Sequence, residues 1–86
     1  MALEKNYDYK GRAAKYWRIS RIINDYMINK TTVEVRLYWD KAARDENSQN
    51  YLGPIELRAF DITDLTIEQA YEKIKTSTYF NDAKSV

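Results

Sequence analysis

Polar and apolar residues alternate along much of this chain with the two-residue period of half-buried strands. Over residues 3–9, Leu3, Lys5, Tyr7 and Tyr9 share one side and Glu4, Asn6 and Asp8 the other, which predicts a short edge strand ending at the turn Lys10-Gly11-Arg12. A longer strand is expected over about 15–28. Trp17, Ile19, Arg21 and Ile23 fall on one face and Tyr16, Arg18, Ser20 and Ile22 on the other. The adjacent pair Ile22-Ile23 breaks the alternation and predicts a bulge or a change of register there. A helix is the rival reading of this stretch, but its β-branched and aromatic content favours a strand. Asn29-Lys30 reads as a tight hairpin turn, without the usual glycine in second place. Residues 31–39 alternate most cleanly. Val33, Val35, Leu37 and Trp39 form a core face, and Thr32, Glu34, Arg36 and Tyr38 form a face that is either solvated or docked.

The stretch 40–54 is polar: Asp40 is placed to cap a helical turn over 41–46, and a loop then closes at Gly53-Pro54. A fourth strand is expected from Ile55 to about Ile62, with Ile55, Leu57 and Ala59 opposite Glu56, Arg58 and Phe60. The period then changes. Thr66-Ile67-Glu68-Gln69 fits a capping box, and Ile67, Ala70, Tyr71 and Ile74 make one helical stripe. Lys73 and Lys75 lie in the last turn, where positive charge suits the helix dipole. Residues 79–83 read as a further turn pinned by Phe80. The fold expected is α+β, a four-stranded antiparallel meander with a C-terminal helix packed on one face, in a single domain over residues 1–86.

Composition narrows the chemistry. Eighty-six residues suffice for one modest core, and with no cysteine and no histidine neither a disulfide nor a structural zinc supplements it. The same absences remove the imidazole base, the thiolate nucleophile and zinc-bound water, and two glycines are too few for a phosphate cradle. The chain is therefore expected not to be an enzyme and to need no cofactor. Fourteen basic and thirteen acidic residues lack the basic excess typical of nucleic-acid binders. No apolar run approaches the roughly 20 residues of a membrane span. The polar start, without the apolar stretch of a signal peptide, fits synthesis and retention in a cytosol, or assembly from one.

Three constellations remain. Asp40, Asp45, Glu46 and Asn47 offer oxygen ligands but lack the order of a calcium loop, so a solvated loop with a helix cap is the simpler reading. Lys15-Tyr16-Trp17-Arg18, with Arg21, mixes basic and aromatic residues as single-strand grooves do, against acidic neighbours and a neutral total. Tyr16, Tyr38 and Phe60, interleaved with Arg18, Arg36 and Arg58, lie opposite the expected core face; Tyr51 joins them from the loop. Tyr and Arg favour interface centres because they combine area with a polar handle. An ordinary exposed sheet face with cross-strand pairs explains the same pattern. The first strand also offers a free edge for β-augmentation.

Several short motifs resemble one family. They are Met1-Ala2-Leu3-Glu4-Lys5, the strand Tyr16-Trp17-Arg18-Ile19 with its hairpin partner, the loop 40–47 with Ala43-Arg44-Asp45, and the ending Ala70-Tyr71-Glu72-Lys73-Ile74-Lys75 with Phe80-Asn81-Asp82-Ala83. Together they resemble the small structural proteins encoded among the late, tail- and baseplate-region genes of tailed bacteriophages and prophages. The resemblance implies a virion component, in host cytoplasm before assembly, docking in symmetric copies to other phage structural proteins at the tail tip, baseplate or fibre attachment. It implies no catalytic or ligand residue, no nucleic-acid partner and no membrane. A non-virion phage protein is the alternative, either an assembly chaperone or an inhibitor of a host defence protein.

Overall fold

The computed structural model describes residues 2–53 and 55–86. Met1 and Pro54, placed by the sequence in the opening motif and at the loop's end, lie outside the described residues. The fold is α+β, with strands β1 (Leu3–Tyr9), β2 (Arg12–Asp25), β3 (Lys30–Tyr38), β4 (Ile55–Phe60) and β5 (Lys84–Ser85). Two helices, α1 (Lys41–Glu46) and α2 (Ile67–Lys75), flank β4 in the chain. The sheet is antiparallel, in the order β4-β3-β2-β1-β5, so it has five strands where four were expected. The extra strand is two residues long, too short for any periodicity to announce it. It pairs Ser85 with Leu3 and Lys84 with Glu4, and Ala2 and Val86 exchange both backbone hydrogen bonds at 2.9 Å. The start of β1 is therefore not the free edge that the sequence suggested.

The turns follow from local backbone chemistry. Lys10 and Gly11 both take positive φ, 53° and 82°, between the paired residues Tyr9 and Arg12, as a two-residue type I′ hairpin requires. The second hairpin is wider than expected. Asp25 pairs with Lys30, leaving residues 26–29 as the loop, with Asn29 at φ 53° and the Asp25 carboxylate accepting from the Met27 N–H at 3.0 Å. Without glycine, a four-residue loop needs only one left-handed residue, and asparagine tolerates that conformation well.

The irregularity in β2 falls at Ser20, between Ile19 and Arg21, two residues before the Ile22-Ile23 pair. One extra residue there exchanges the faces of everything after it. Ile22 therefore lies beside Val33 and packs on the core, whereas Ile23 lies beside Thr32 and is exposed. Arg21 likewise moves to the outer face beside Glu34.

Val33, Val35 and Leu37 are fully buried with Leu3, Trp17 and Phe80, and Trp39 is half-buried at their margin. Trp17 is the hub, with its ring edge-on to Phe80 at 5.2 Å and to Tyr7 at 5.9 Å and its Nε1–H donating to the Lys5 carbonyl. Each such side chain contributes about 1.5–3 kcal/mol on burial. Helix α2 opens with the expected reciprocal box: Gln69 N–H donates to the Thr66 hydroxyl, and Thr66 N–H donates to the Gln69 side chain. Ala70, Tyr71 and Ile74 join the same buried cluster, while Ile67 at the first turn stays exposed. The Tyr71 hydroxyl accepts the Ile19 N–H at 3.0 Å, beside the bulge.

Strand β4 reverses the expected faces. Pairing of Val33 with Arg58 and of Val35 with Glu56 puts Glu56, Arg58 and Phe60 on the core side, and Ile55, Leu57 and Ala59 outside. The inward charges are tolerated at the sheet margin, where Arg58 donates to Glu56 at 2.9 Å with both side chains still partly wet. Phe60 packs on the core. The strand stops at Phe60, short of Ile62, whose carbonyl accepts from the buried Thr31 hydroxyl as the chain turns away.

Candidate functional site

The face of β3 that reads as polar is closed at one end. Asp40 caps α1 as expected, its carboxylate accepting from the Ala43 N–H at 2.8 Å. Residues after the helix fold back over the sheet: the Tyr38 hydroxyl donates to the Ser48 carbonyl at 2.7 Å, and Leu52 N–H donates to the Leu37 carbonyl. Tyr16 and Tyr38, paired across β2 and β3, are buried edge-to-face with Ala2. Their rings fill a second small core. They do not form an open aromatic surface.

Beside that plug lies a recess of about 450 Å³ on the outer face, floored by β2 and β3 and walled by residues 44–51. Four guanidiniums line it, from Arg18, Arg21, Arg36 and Arg44, against the single carboxylate of Glu34. Glu34 is 5% exposed and accepts from the Ser20 hydroxyl at 2.7 Å, from Arg21 at 3.0 Å and from Arg36 at 3.1 Å. The Ser20 hydrogen bond first, then the Arg21 and Arg36 charges, hold its carboxyl below the usual range against the opposing effect of burial. Arg36 also stacks on Tyr51, its guanidinium carbon 4.1 Å from the ring centroid. Arg18 and Arg44 form no ion pair among the described residues, and Arg44 Nε is buried without a hydrogen-bond partner.

The sequence-derived residues therefore divide. Arg18, Arg36, Tyr38 and Tyr51 line this recess, with Tyr16 packed beneath as Tyr38's neighbour. Arg58 and Phe60 belong to the other side of the sheet: Arg58 lies over the Phe80 ring, and Phe60 faces the core. Alternation in β3 already placed Glu34 beside Arg36 and Tyr38, whereas sequence reasoning missed Arg21, Arg44, Ser48 and Gln49 as neighbours on this face. The Ser20 bulge is what swings Arg21 to this face, and no spacing rule links Arg44 to β2. Trp17 and Tyr16 are buried, so the basic-aromatic run of β2 presents no ring for stacking. In the acidic loop, Asp40 serves as the cap, Asp45 pairs with Lys41 at 3.1 Å, and the Asn47 side chain accepts from the Gln49 N–H. Among the described residues, no three His, Cys, Asp or Glu side chains gather as a metal site, and no helix is long and apolar enough to cross a membrane.

A second surface lies along β4. It is the last strand of the sheet, and among the described residues no strand pairs with its outer side. Leu57 is 56% exposed and Ile55 42%, and Ala59 continues a row across Thr32 to the exposed Ile23. At the nearby hairpin tip Met27 is 92% exposed.

No protein-family model matches this chain, and no curated protein or solved structure matches it significantly.

Proposed function

We propose that this chain is a non-catalytic adaptor of a tailed-phage virion. It docks through the β4 edge and the adjoining outer face to other phage structural proteins at the tail tip, baseplate or fibre attachment, in symmetric copies. The observation behind the docking reading is the unpaired β4 edge with Ile55 and Leu57 turned outward. An open edge bearing exposed apolar side chains invites strand addition, and the short length of β4 with its inward Glu56 and Arg58 favours a specific partner strand over indiscriminate pairing. In this reading α2 lies across the Trp17–Leu37 face, which leaves the opposite face for the partner. The phage setting is supported by the resemblance of the opening, hairpin and C-terminal motifs.

Mass spectrometry of purified particles tests the virion assignment: the chain is expected in mature particles, and its absence overturns the assignment. In that case, recovery of a host protein on pull-down from infected cells would support the inhibitor alternative. Leu57→Lys tests the docking surface independently. The variant is expected to keep its unfolding midpoint and to lose co-sedimentation with tail protein; undiminished co-sedimentation refutes the edge as the contact.

A further inference from the structure

We propose that the arginine recess between β2, β3 and residues 44–51 is a second binding site, one that captures a carboxylate of an acidic peptide segment through Arg18 and Arg44. It rests on the docking reading only in taking the ligand to be protein, and it uses a different surface from the β4 edge.

Charge distribution is the first support. The chain has a net charge of only +1, yet four guanidiniums meet one carboxylate in this recess, so the local excess is three positive charges and the remainder of the chain is net negative. A concave site concentrates that field more than a flat exposed face does. The bonding is also incomplete. Glu34 uses Arg21 and Arg36, whereas among the described residues Arg18 is half-buried without an ion pair and Arg44 keeps a buried Nε–H without a partner. A carboxylate entering the recess meets the guanidiniums of Arg18 and Arg44, neither of which is in an ion pair among the described residues, and can form charge-assisted bonds with them. The walls are already ordered, because Arg36 is held between Glu34 and Tyr51 and Tyr38 is tied to Ser48.

The same details favour a peptide carboxylate over a nucleic-acid strand. Single-strand binding needs a basic track and free aromatic faces. Here one face of Tyr51 is occupied by Arg36 and the Tyr38 ring is buried against Tyr16, so the recess offers no run of free rings for successive bases to stack on. Glu34 already shows that this recess accommodates a carboxylate between guanidiniums.

Fluorescence anisotropy on the isolated protein tests the site with a short labelled peptide holding an Asp-Glu pair between Gly-Ser flanks, and with its Asn-Gln twin. The acidic peptide is expected to bind with an affinity that falls as salt rises, and the twin to bind at least about tenfold more weakly. Arg18→Gln with Arg44→Gln should weaken the acidic peptide by about tenfold or more. Equal binding of the two peptides, an unaffected double variant, or stronger competition by an oligonucleotide or inorganic phosphate than by unlabelled peptide overturns the proposal. Should the double variant not fold, the unmodified protein decides: the Arg44 Nε–H resonance must move on titration with the acidic peptide, and a stationary resonance refutes the site. Neither readout depends on whether the chain enters virions or docks through β4.

Discussion

Removing one oxygen atom, in Tyr71→Phe, tests how the sheet and α2 are joined. The ring is almost wholly buried and the phenylalanine isostere keeps its packing, so only the hydroxyl is lost. That hydroxyl accepts the Ile19 N–H at 3.0 Å, next to the bulge where the β2–β3 ladder is interrupted. Deleting it removes a hydrogen bond and leaves a half-buried backbone donor without that acceptor, a change costing about 1–3 kcal/mol. For a domain of this size each kcal/mol moves the melting midpoint by about 4–8 °C, so thermal and urea unfolding should resolve it easily. The pH profile adds a second signature. Burial, more than any neighbouring charge, raises the Tyr71 pKa above the ordinary phenol value; the Ile19 hydrogen bond and the Arg18 and Arg44 charges oppose the shift. A group whose folded pKa is raised contributes stability that is complete below the unfolded pKa, about 10, and disappears as pH rises through the folded value. Tyr71→Phe should therefore flatten part of the alkaline decline, leaving the share due to Tyr26 and Tyr79, which are also raised. A variant as stable as the parent within a few tenths of a kcal/mol, with an unchanged alkaline limb, would refute the role given to this bond.

Three further substitutions address other elements. Leu37→Ala, at a fully buried position, should cost about 2–5 kcal/mol, whereas Leu57→Ala on the exposed side of β4 should stay within about 0.5 kcal/mol of the parent; comparable losses in urea melts would mean that the faces of β4 are assigned the wrong way round. Glu34→Gln should cost about 1–2 kcal/mol at neutral pH, less than a deeply buried pair, because Arg21 is largely exposed and its charge remains hydrated. Since the Glu34 pKa is lowered, its contribution is present above the unfolded carboxyl value and is lost as pH falls through the folded one, so the variant should show a shallower acid limb, and an identical limb would contradict the ion-pair geometry.

The elements that sequence could reveal are those whose signals are local. The capping box at Thr66, the Asp40 cap, the Val33-Val35-Leu37 face and the Phe80 pin all depend on residues within a few positions of one another, and all are present. Signals set by register were misleading. The run Ile55-Leu57-Ala59 looks like a core face, but the face of an edge strand is decided by its partner, and pairing Val33 with Arg58 turns those side chains outward. The inward Phe60 was the contrary hint. In β2 the irregularity sits at Ser20 because the bulge can be bonded there, by the Ser20 hydroxyl to Glu34 and by the Tyr71 hydroxyl to the Ile19 N–H, and neither partner is near in sequence. The recess was half legible for the same reason. Arg18, Arg36 and Tyr38 share a face by simple alternation, whereas Arg44 arrives on α1, and Ser48, Gln49 and Tyr51 arrive through the fold-back of the loop after it.

The two edges of the sheet are unequal. On one side, β5 covers Leu3 and Glu4, and a break in register between Glu4 and Tyr7 interrupts the rest of β1; on the other, β4 is regular and, among the described residues, no strand covers it. Edge-to-edge growth into a filament needs two complementary free edges on every molecule, each one templating the next. With one serviceable edge, strand addition ends after a single event: a second copy joined β4 to β4 closes a two-fold pair, and a foreign strand caps the sheet outright. The short β5 latch thus limits how far the molecule can polymerise through its own backbone, a restraint useful to any protein stored at high concentration before it is used.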